Sequence, residues 1–300
     1  MPRAVLAAMV ALLVAAGCAQ ADVGKVLIHC APSPVQQQAD PIVDFAQAPS
    51  AHLHTSAGAD AFGPTMTLPN VINATTSCQE QSDHSELWFP TPLKADGTSA
   101  SVGHVAYYLI NSGYVLSGDV PNGLRLIGGS SSCNTRFCAG IFSCPGYTGH
   151  TIPPAGFCNG GGYEETVFGP GQCWTGLDYG LGLGGTDSAA AFTGDNPCAG
   201  YVLPRIEFVV DVGSDGVGGY LSSDIPAGTT VSAPGSTAHF DYVYGWLLNT
   251  DGIPALGQLI GRCLNVTGFT EGQASCSENG KGSIFTVLPG DYHLQQFVTN

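Results

Sequence analysis

Apolar positions along this chain come in short runs that end at Gly, Pro, Asn or Ser. Lys25–His29, His104–Ile110, Leu124–Ile127, Arg205–Val212 and Ser283–Leu288 each read as a strand bounded by turn residues. Within one of them Tyr107 and Tyr108 are neighbours, so the two-residue period of a strand turns one to each face of a sheet. Pro121-Asn-Gly123, just ahead of Leu124, is a turn signal. Helical spacing is clear in one place: Leu256, Leu259, Ile260 and Cys263 fall at i, i+3, i+4 and i+7, with Asp251 and Pro254 as start signals. The stretch from Gly140 to Gly185 is dense in glycine. Its Cys144, Cys158 and Cys173 and its apolar Phe142, Phe157 and Phe168 predict a covalently stapled excursion rather than a linker. No internal repeat or domain boundary is visible. The pattern predicts a mainly β single domain of sandwich or jelly-roll type over residues 22–300, loop-rich, with a short C-terminal helix.

The N-terminus changes the setting. Arg3, the apolar run Ala4–Ala16 and the small-x-small site Ala19-Gln20-Ala21 predict a secretion signal over residues 1–21. Val14-Ala-Ala-Gly-Cys18 offers the alternative of a weak lipoprotein box. No later run is long and apolar enough to span a bilayer, so the expectation is a secreted, extracellular protein. Without Cys18, ten of the 11 cysteines remain, an even number that reads as a disulfide framework of undetermined connectivity. The spacing of Cys133, Cys138 and Cys144 misses the close pairs of a zinc knuckle. Asn73-Ala-Thr75 and Asn265-Val-Thr267 are glycosylation sequons. With Arg3 gone, seven Lys and Arg face 23 Asp and Glu, a net charge of −16. Such acidity argues against nucleic acid, whose affinity comes largely from neutralised phosphates, and against anionic membranes.

A series of short motifs carries a resemblance. Asp40-Pro-Ile-Val is followed by Ser50-Ala-His52-Leu-His54-Thr, Thr76-Ser-Cys78, Asp83-His-Ser-Glu-Leu-Trp88 with Pro90, and Ala106-Tyr107-Tyr108. Then come Pro121-Asn-Gly-Leu-Arg125-Leu-Ile-Gly-Gly129, Cys173-Trp174-x-Gly176 with Asp178, Leu203-Pro204, and His239-Phe-Asp241 leading to Gly245-Trp246. In this order they resemble the secreted proteins catalogued as domain of unknown function number 1996, over about residues 40–276. The resemblance implies a fold and a shortlist of residues, not a reaction. Two departures stand out. A cysteine often paired before Thr-Ser-Cys is replaced by Thr75, and a histidine expected near Asp187 is absent, which puts any activity needing it in doubt.

Within that frame, His52 and His54 at i, i+2 share one side of an extended segment, and His239-x-Asp241 repeats the spacing far downstream. Imidazoles and carboxylates are ligands for zinc and other divalent ions, so His52, His54 and His239 are the candidate metal ligands, and His52, His54, Asp83 and Asp241 the candidate catalytic set. A cupin would carry a glutamate four or five residues after the His pair, where this chain has Thr55-Ser-Ala-Gly-Ala. Two carboxylates across a sugar would support glycoside hydrolysis, with Trp88, Trp174 and Trp246 as stacking platforms. Beta-elimination from an acidic polysaccharide is a further option, with His or a tyrosine such as Tyr108 as base and Arg125 on the uronate. The expected partner is a polysaccharide or cell-wall glycan and the expected cofactor a divalent metal. The expected role is a hydrolase or lyase acting there. The alternative is a non-catalytic carbohydrate-binding or wall protein.

Overall fold

The computed structural model describes residues 25–111, 116–117, 120–129, 140–169, 173–174, 192–193, 201–225, 233–248, 255–264 and 286–287. The predicted signal segment, Cys18, Cys133, Cys138, Asp178, Asp187, Cys198, Asn265 and Cys276 lie outside the described residues.

The protein is mainly β. In chain order the strands are β1 (Lys25–Cys30), β2 (His54–Gly58), β3 (Glu86–Pro90), β4 (Pro92–Leu93), β5 (Val102–Ile110), β6 (Arg125–Gly129), β7 (Ile141–Cys144) and β8 (Tyr147–Gly149). They continue with β9 (Tyr163–Phe168), β10 (Cys173–Trp174), β11 (Phe192–Thr193), β12 (Tyr201–Val202), β13 (Arg205–Val212), β14 (Tyr220–Leu221), β15 (His239–Val243) and β16 (Thr286–Val287). A seven-stranded antiparallel sheet runs β16-β1-β5-β13-β9-β7-β8, and a four-stranded one runs β2-β3-β15-β6. The five predicted strands all recur in these sheets, four in the large one and Leu124–Ile127 as β6.

The two sheets pack face to face as a sandwich. From the small sheet Leu87, Phe89, Leu126, Phe240 and Tyr242 point inward, and from the large one Val105, Tyr107, Phe208, Val210 and Phe142. Aromatic contacts cross the gap: Phe208 lies 5.1 Å from Phe89 and 5.2 Å from Phe240, and Tyr107 lies 5.3 Å from Tyr242. The alternation at Tyr107-Tyr108 is as expected, for Tyr107 is in this core and Tyr108 on the far face of the large sheet.

A second, smaller core covers the other face of the small sheet. Ile42, Ala59, Met66 and Val71 from the segment between β1 and β3 pack on Trp88 and Val243. That segment carries the short helix α1 (Leu68–Asn73), with Pro69 in its first turn and the exposed Asn73 sequon at its end. A disulfide from Cys30 to Cys78 ties the segment to the end of β1.

Two expectations need correction. The Gly140–Gly185 stretch is not wholly an excursion, because β7, β8 and β9 within it extend the large sheet, stapled by Cys144–Cys158. Phe142 is fully buried, but Phe157 is 48% exposed beside Tyr147, so not every apolar ring there enters the core. The predicted helix appears as α2 (Ala255–Leu259), which runs into a π-helical turn over Ile260–Leu264. Its stripe of Leu256, Leu259, Ile260 and Cys263 is buried, and Cys263, like Cys173, is disulfide-bonded.

Candidate functional site

Strand register builds the site on the covered face of the small sheet. Antiparallel pairing sets His54 opposite Pro90, and Ser56 and Asp241 on either side of Trp88. One step along β15, His239 lies opposite Gly129. Residues at i, i+2 share a face, so His54, His239 and Asp241 all point away from the sandwich core, into the layer beneath the covering segment. His54 is pinned by the sheet on one side and by Gln37 on the other, through Gln37 N–H to His54 O (3.0 Å) and His54 N–H to Gln37 O (2.9 Å). His52 precedes β2 and is half-buried, with its ring centroid 4.3 Å from that of His54 and 5.1 Å from that of His239. Asp40 comes from a turn in the cover; its Oδ1 accepts from Ile42 N–H (3.2 Å) and Val43 N–H (3.1 Å).

Two sets of potential ligand atoms result, each with all members within 4.8 Å of one another: His52, His54 and His239, and Asp40, His54 and Asp241. The histidines are tuned to stay neutral. Burial, followed by the neighbouring His239, holds His52 down at about 4, and burial holds His54 well below the usual imidazole range. His239 is lowered by burial as well. Its Nδ1 lies 2.7 Å from Thr237 O, and since a carbonyl only accepts, Nδ1 carries the proton. The lone pair is then on Nε2, which lies 3.2 Å from His52 Nε2. A backbone carbonyl behind one ring nitrogen is the usual way a metal-ligating imidazole is oriented. Burial, then the nearby Asp40, pushes Asp241 well above the ordinary carboxylate range, and burial raises Asp40 too. The donor set, three neutral imidazoles with two carboxyl groups alongside, fits a divalent first-row ion.

The remaining predicted residues lie elsewhere. Asp83 is fully buried between the sheets, where it accepts from Tyr107 Oη–H and from Ser85 N–H (3.0 Å). Tyr242 donates to Ser85 Oγ there (2.7 Å), and Tyr242 faces opposite to Asp241 on β15, so Asp83 and the histidines occupy different sides of the small sheet. Burial pushes Asp83 up to about 7. Trp88, Trp246 and Trp174 are 0%, 1% and 4% exposed, so protein already takes up the ring faces that stacking on a sugar would need. Arg125 shares the covered face with Val243 and Glu86, one row beyond Asp241, and is buried. Tyr108 is on the outer face of the large sheet, opposite Glu207.

That outer face carries a titratable row that the sequence reading missed. Asp211 pairs across strands with His104 on one side and Glu164 on the other, and His104 Nε2 lies 2.8 Å from His29 Nδ1. Burial, then Asp211, pushes Glu164 up to about 7. The available signal was polar residues at alternate positions of β13, Arg205, Glu207 and Asp211. Asp40 was read as part of a motif, but no spacing rule joins a turn carboxylate to a pair of histidines 12 and 14 residues on.

An open groove of about 580 Å³ runs across the cover, lined by Asp60, Phe62, Thr65, Met66, Asn70 and Asn73 among others. Phe62, on the groove wall, stands edge-on to His54, with ring centroids 6.3 Å apart, and no residue of the cluster lines the groove. No helix among the described residues is long and apolar enough to cross a membrane. Comparison with known proteins gives no match among curated proteins and none among solved structures. One family model, described as Domain of unknown function (DUF1996), matches residues 40–246, from the Asp40 turn to Trp246 just beyond β15. With more than half of the chain matched, the protein belongs to that family.

Proposed function

We propose that this is a secreted, metal-dependent hydrolase of extracellular or cell-wall polysaccharide, with His52, His54 and His239 as the metal ligands. The observation that carries the reading is the convergence of three neutral imidazoles, with ligand atoms within 4.8 Å, from chain positions almost two hundred residues apart. Three protein ligands with a further position left over are the donor set of a catalytic rather than a purely structural ion. A bound ion would lower the pKa of a coordinated water toward neutrality and polarise the bond to be cut. Of the chain's own groups, Thr237 O orients His239, and Asp241, with Oδ2 3.9 Å from His239 Nε2, is the nearest carboxyl group to take up or return a proton. Half-buried His52 gives an approach from solvent. Secretion is supported by the disulfides Cys30–Cys78 and Cys144–Cys158, which persist in oxidising compartments. The glycan substrate is supported by an acidic, weakly charged surface that repels polyanions such as nucleic acid.

One observation favours a second reading. His54 and His239 are 0% and 4% exposed, a depth that suits a non-catalytic carbohydrate-binding or wall protein whose polar cluster organises the fold. Metal analysis of the secreted protein and a screen over neutral and acidic glycans test both. The hydrolase reading expects stoichiometric metal, lost together with glycan cleavage in His52→Ala and His239→Ala. Wild-type protein that takes up no metal sinks the metal centre. A glycan that is bound and never cleaved establishes the second reading instead.

A further inference from the structure

The three-histidine set leaves part of the cluster unexplained. Asp241 is 1% exposed, and neither of its carboxylate oxygens has a hydrogen-bond partner. His54 is 0% exposed, and its ring nitrogens meet only the backbone of Ala39 and no side-chain hydrogen-bond partner. Leaving such groups unpaired in the interior is costly, and more so where a charge is involved. Among the described residues no Lys or Arg forms an ion pair with Asp40 or Asp241, and the basic groups beside Asp241 are the imidazoles of His239, at 3.9 Å, and His54. Two carboxyl groups this close and this deep either hold protons or face a cation.

We infer that the cluster is a two-ion centre, with a second divalent cation held by Asp40, His54 and Asp241 and with the His54 imidazole shared between the two positions. The inference rests on the three-histidine reading and extends it. The two ligand sets have only His54 in common, and an imidazole carries its two nitrogens on opposite sides of the ring, so it is suited to face one ion with each. Bridging requires His54 to leave its contact with the Ala39 backbone and give up its single N–H proton to solvent, while Asp40 and Asp241 give up theirs wherever they are protonated. Two carboxylates then balance the two charges of the buried ion. Asp40 is already held in place, because Ile42 N–H and Val43 N–H fix its Oδ1 and the Trp88 indole lies beside the carboxyl group. A mixed imidazole–carboxylate set suits Zn²⁺, Mn²⁺ or Fe²⁺ rather than Ca²⁺, which takes more oxygens.

Zinc itself is the probe. The full secreted chain is stripped with a chelator, loaded with excess Zn²⁺, freed of unbound metal by gel filtration, and its zinc-to-protein ratio measured. The inference expects two zinc ions per wild-type chain, one in Asp40→Asn and Asp241→Asn, and one in His52→Ala. His54→Ala is expected to lose both. The wild-type ratio needs no variant to fold, and circular dichroism of each variant identifies any that do not. One zinc per wild-type chain overturns the second position and leaves the three-histidine site standing. No zinc overturns both. Two zinc ions in wild type that persist in folded Asp40→Asn and Asp241→Asn chains assign the second ion elsewhere and equally overturn the inference.

Discussion

At the scale of single residues, the buried carboxyl group of Glu165 offers a clean test of how this interior treats charge. It points from β9 into the space between the sheets, 1% exposed, with Oε2 unpaired. Burial, then Asp224, pushes it up to about 8 from an ordinary value of 4.5. A folded-state pKa above the unfolded one means that the native state holds the proton more tightly. Its stabilising contribution is therefore complete below about pH 4.5 and is lost as pH rises through about 8. In Glu165→Gln, which keeps the shape and cannot ionise, the fall in unfolding free energy across that window should flatten relative to wild type. Urea titrations at several pH values read the difference, and parallel profiles for the two proteins would show that Glu165 does not carry it. Residue by residue, the sequence reached some of the site and missed the rest for a physical reason. The i, i+2 rule found His52-x-His54 and His239-x-Asp241, because alternation is local. Asp83 joined the candidate set through the motif Asp83-His-Ser-Glu-Leu-Trp88, whereas a hydrogen bond from Tyr107, on the other sheet, holds Asp83 on the opposite side. Spacing along the chain says nothing about which side of a sheet a distant loop will enter.

Elements were more legible, because a strand advertises itself through period and punctuation. Both His-bearing segments lie in the four-stranded sheet, and what sets their height above it is the packing on its opposite face. There Phe240 sits against Gly128, its pairing partner on β6: a Cβ built at Gly128 would lie 2.1 Å from the Phe240 ring. The missing side chain lets Phe240 lie almost flat on Phe208, at 28° and 5.2 Å. Gly128→Val should therefore destabilise the protein by about 1–3 kcal/mol through overpacking. Because β15 carries His239 next to Phe240, the same change should weaken zinc binding at the three-histidine set. Thermal unfolding and a zinc titration measure the two effects; a variant as stable as wild type would mean that the ring turns aside without cost. The element-level reading did not predict β3, β9 or β15, which are buried on both faces along most of their length and so show no clean polar alternation. It also could not supply the short strands β7 and β8 and the small helix α1. Each holds too few residues for a period to repeat, and each takes its conformation from the sheet or core it lands on.

For the molecule as a whole, three layers matter: large sheet, small sheet, and the covering segment that closes over the His–Asp cluster. The cover has little regular structure and a small core of its own, Ile42, Ala59, Met66 and Val71 against Trp88 and Val243. Its one covalent tie among the described residues is Cys30–Cys78, which joins positions 48 residues apart and encloses Asp40, His52 and His54 in the loop. The even cysteine count predicted such ties but not their partners, since pairing depends on where β1 ends relative to a segment that reaches it only in three dimensions. A closed loop of this length restricts the unfolded chain by an amount worth about 4 kcal/mol in the loop-entropy picture. The paired replacement Cys30→Ala/Cys78→Ala, which leaves no lone thiol, should lose stability of that order in urea unfolding. It should lose zinc affinity too, because two of the five proposed ligands, Asp40 and His52, sit off the sheet in the released loop while His54, His239 and Asp241 stay on the small sheet. Loss of stability with zinc affinity intact would mean that the cover is held by its own packing and by Gln37 on β2. Loss of both would make the disulfide the element that keeps the two halves of the site in register.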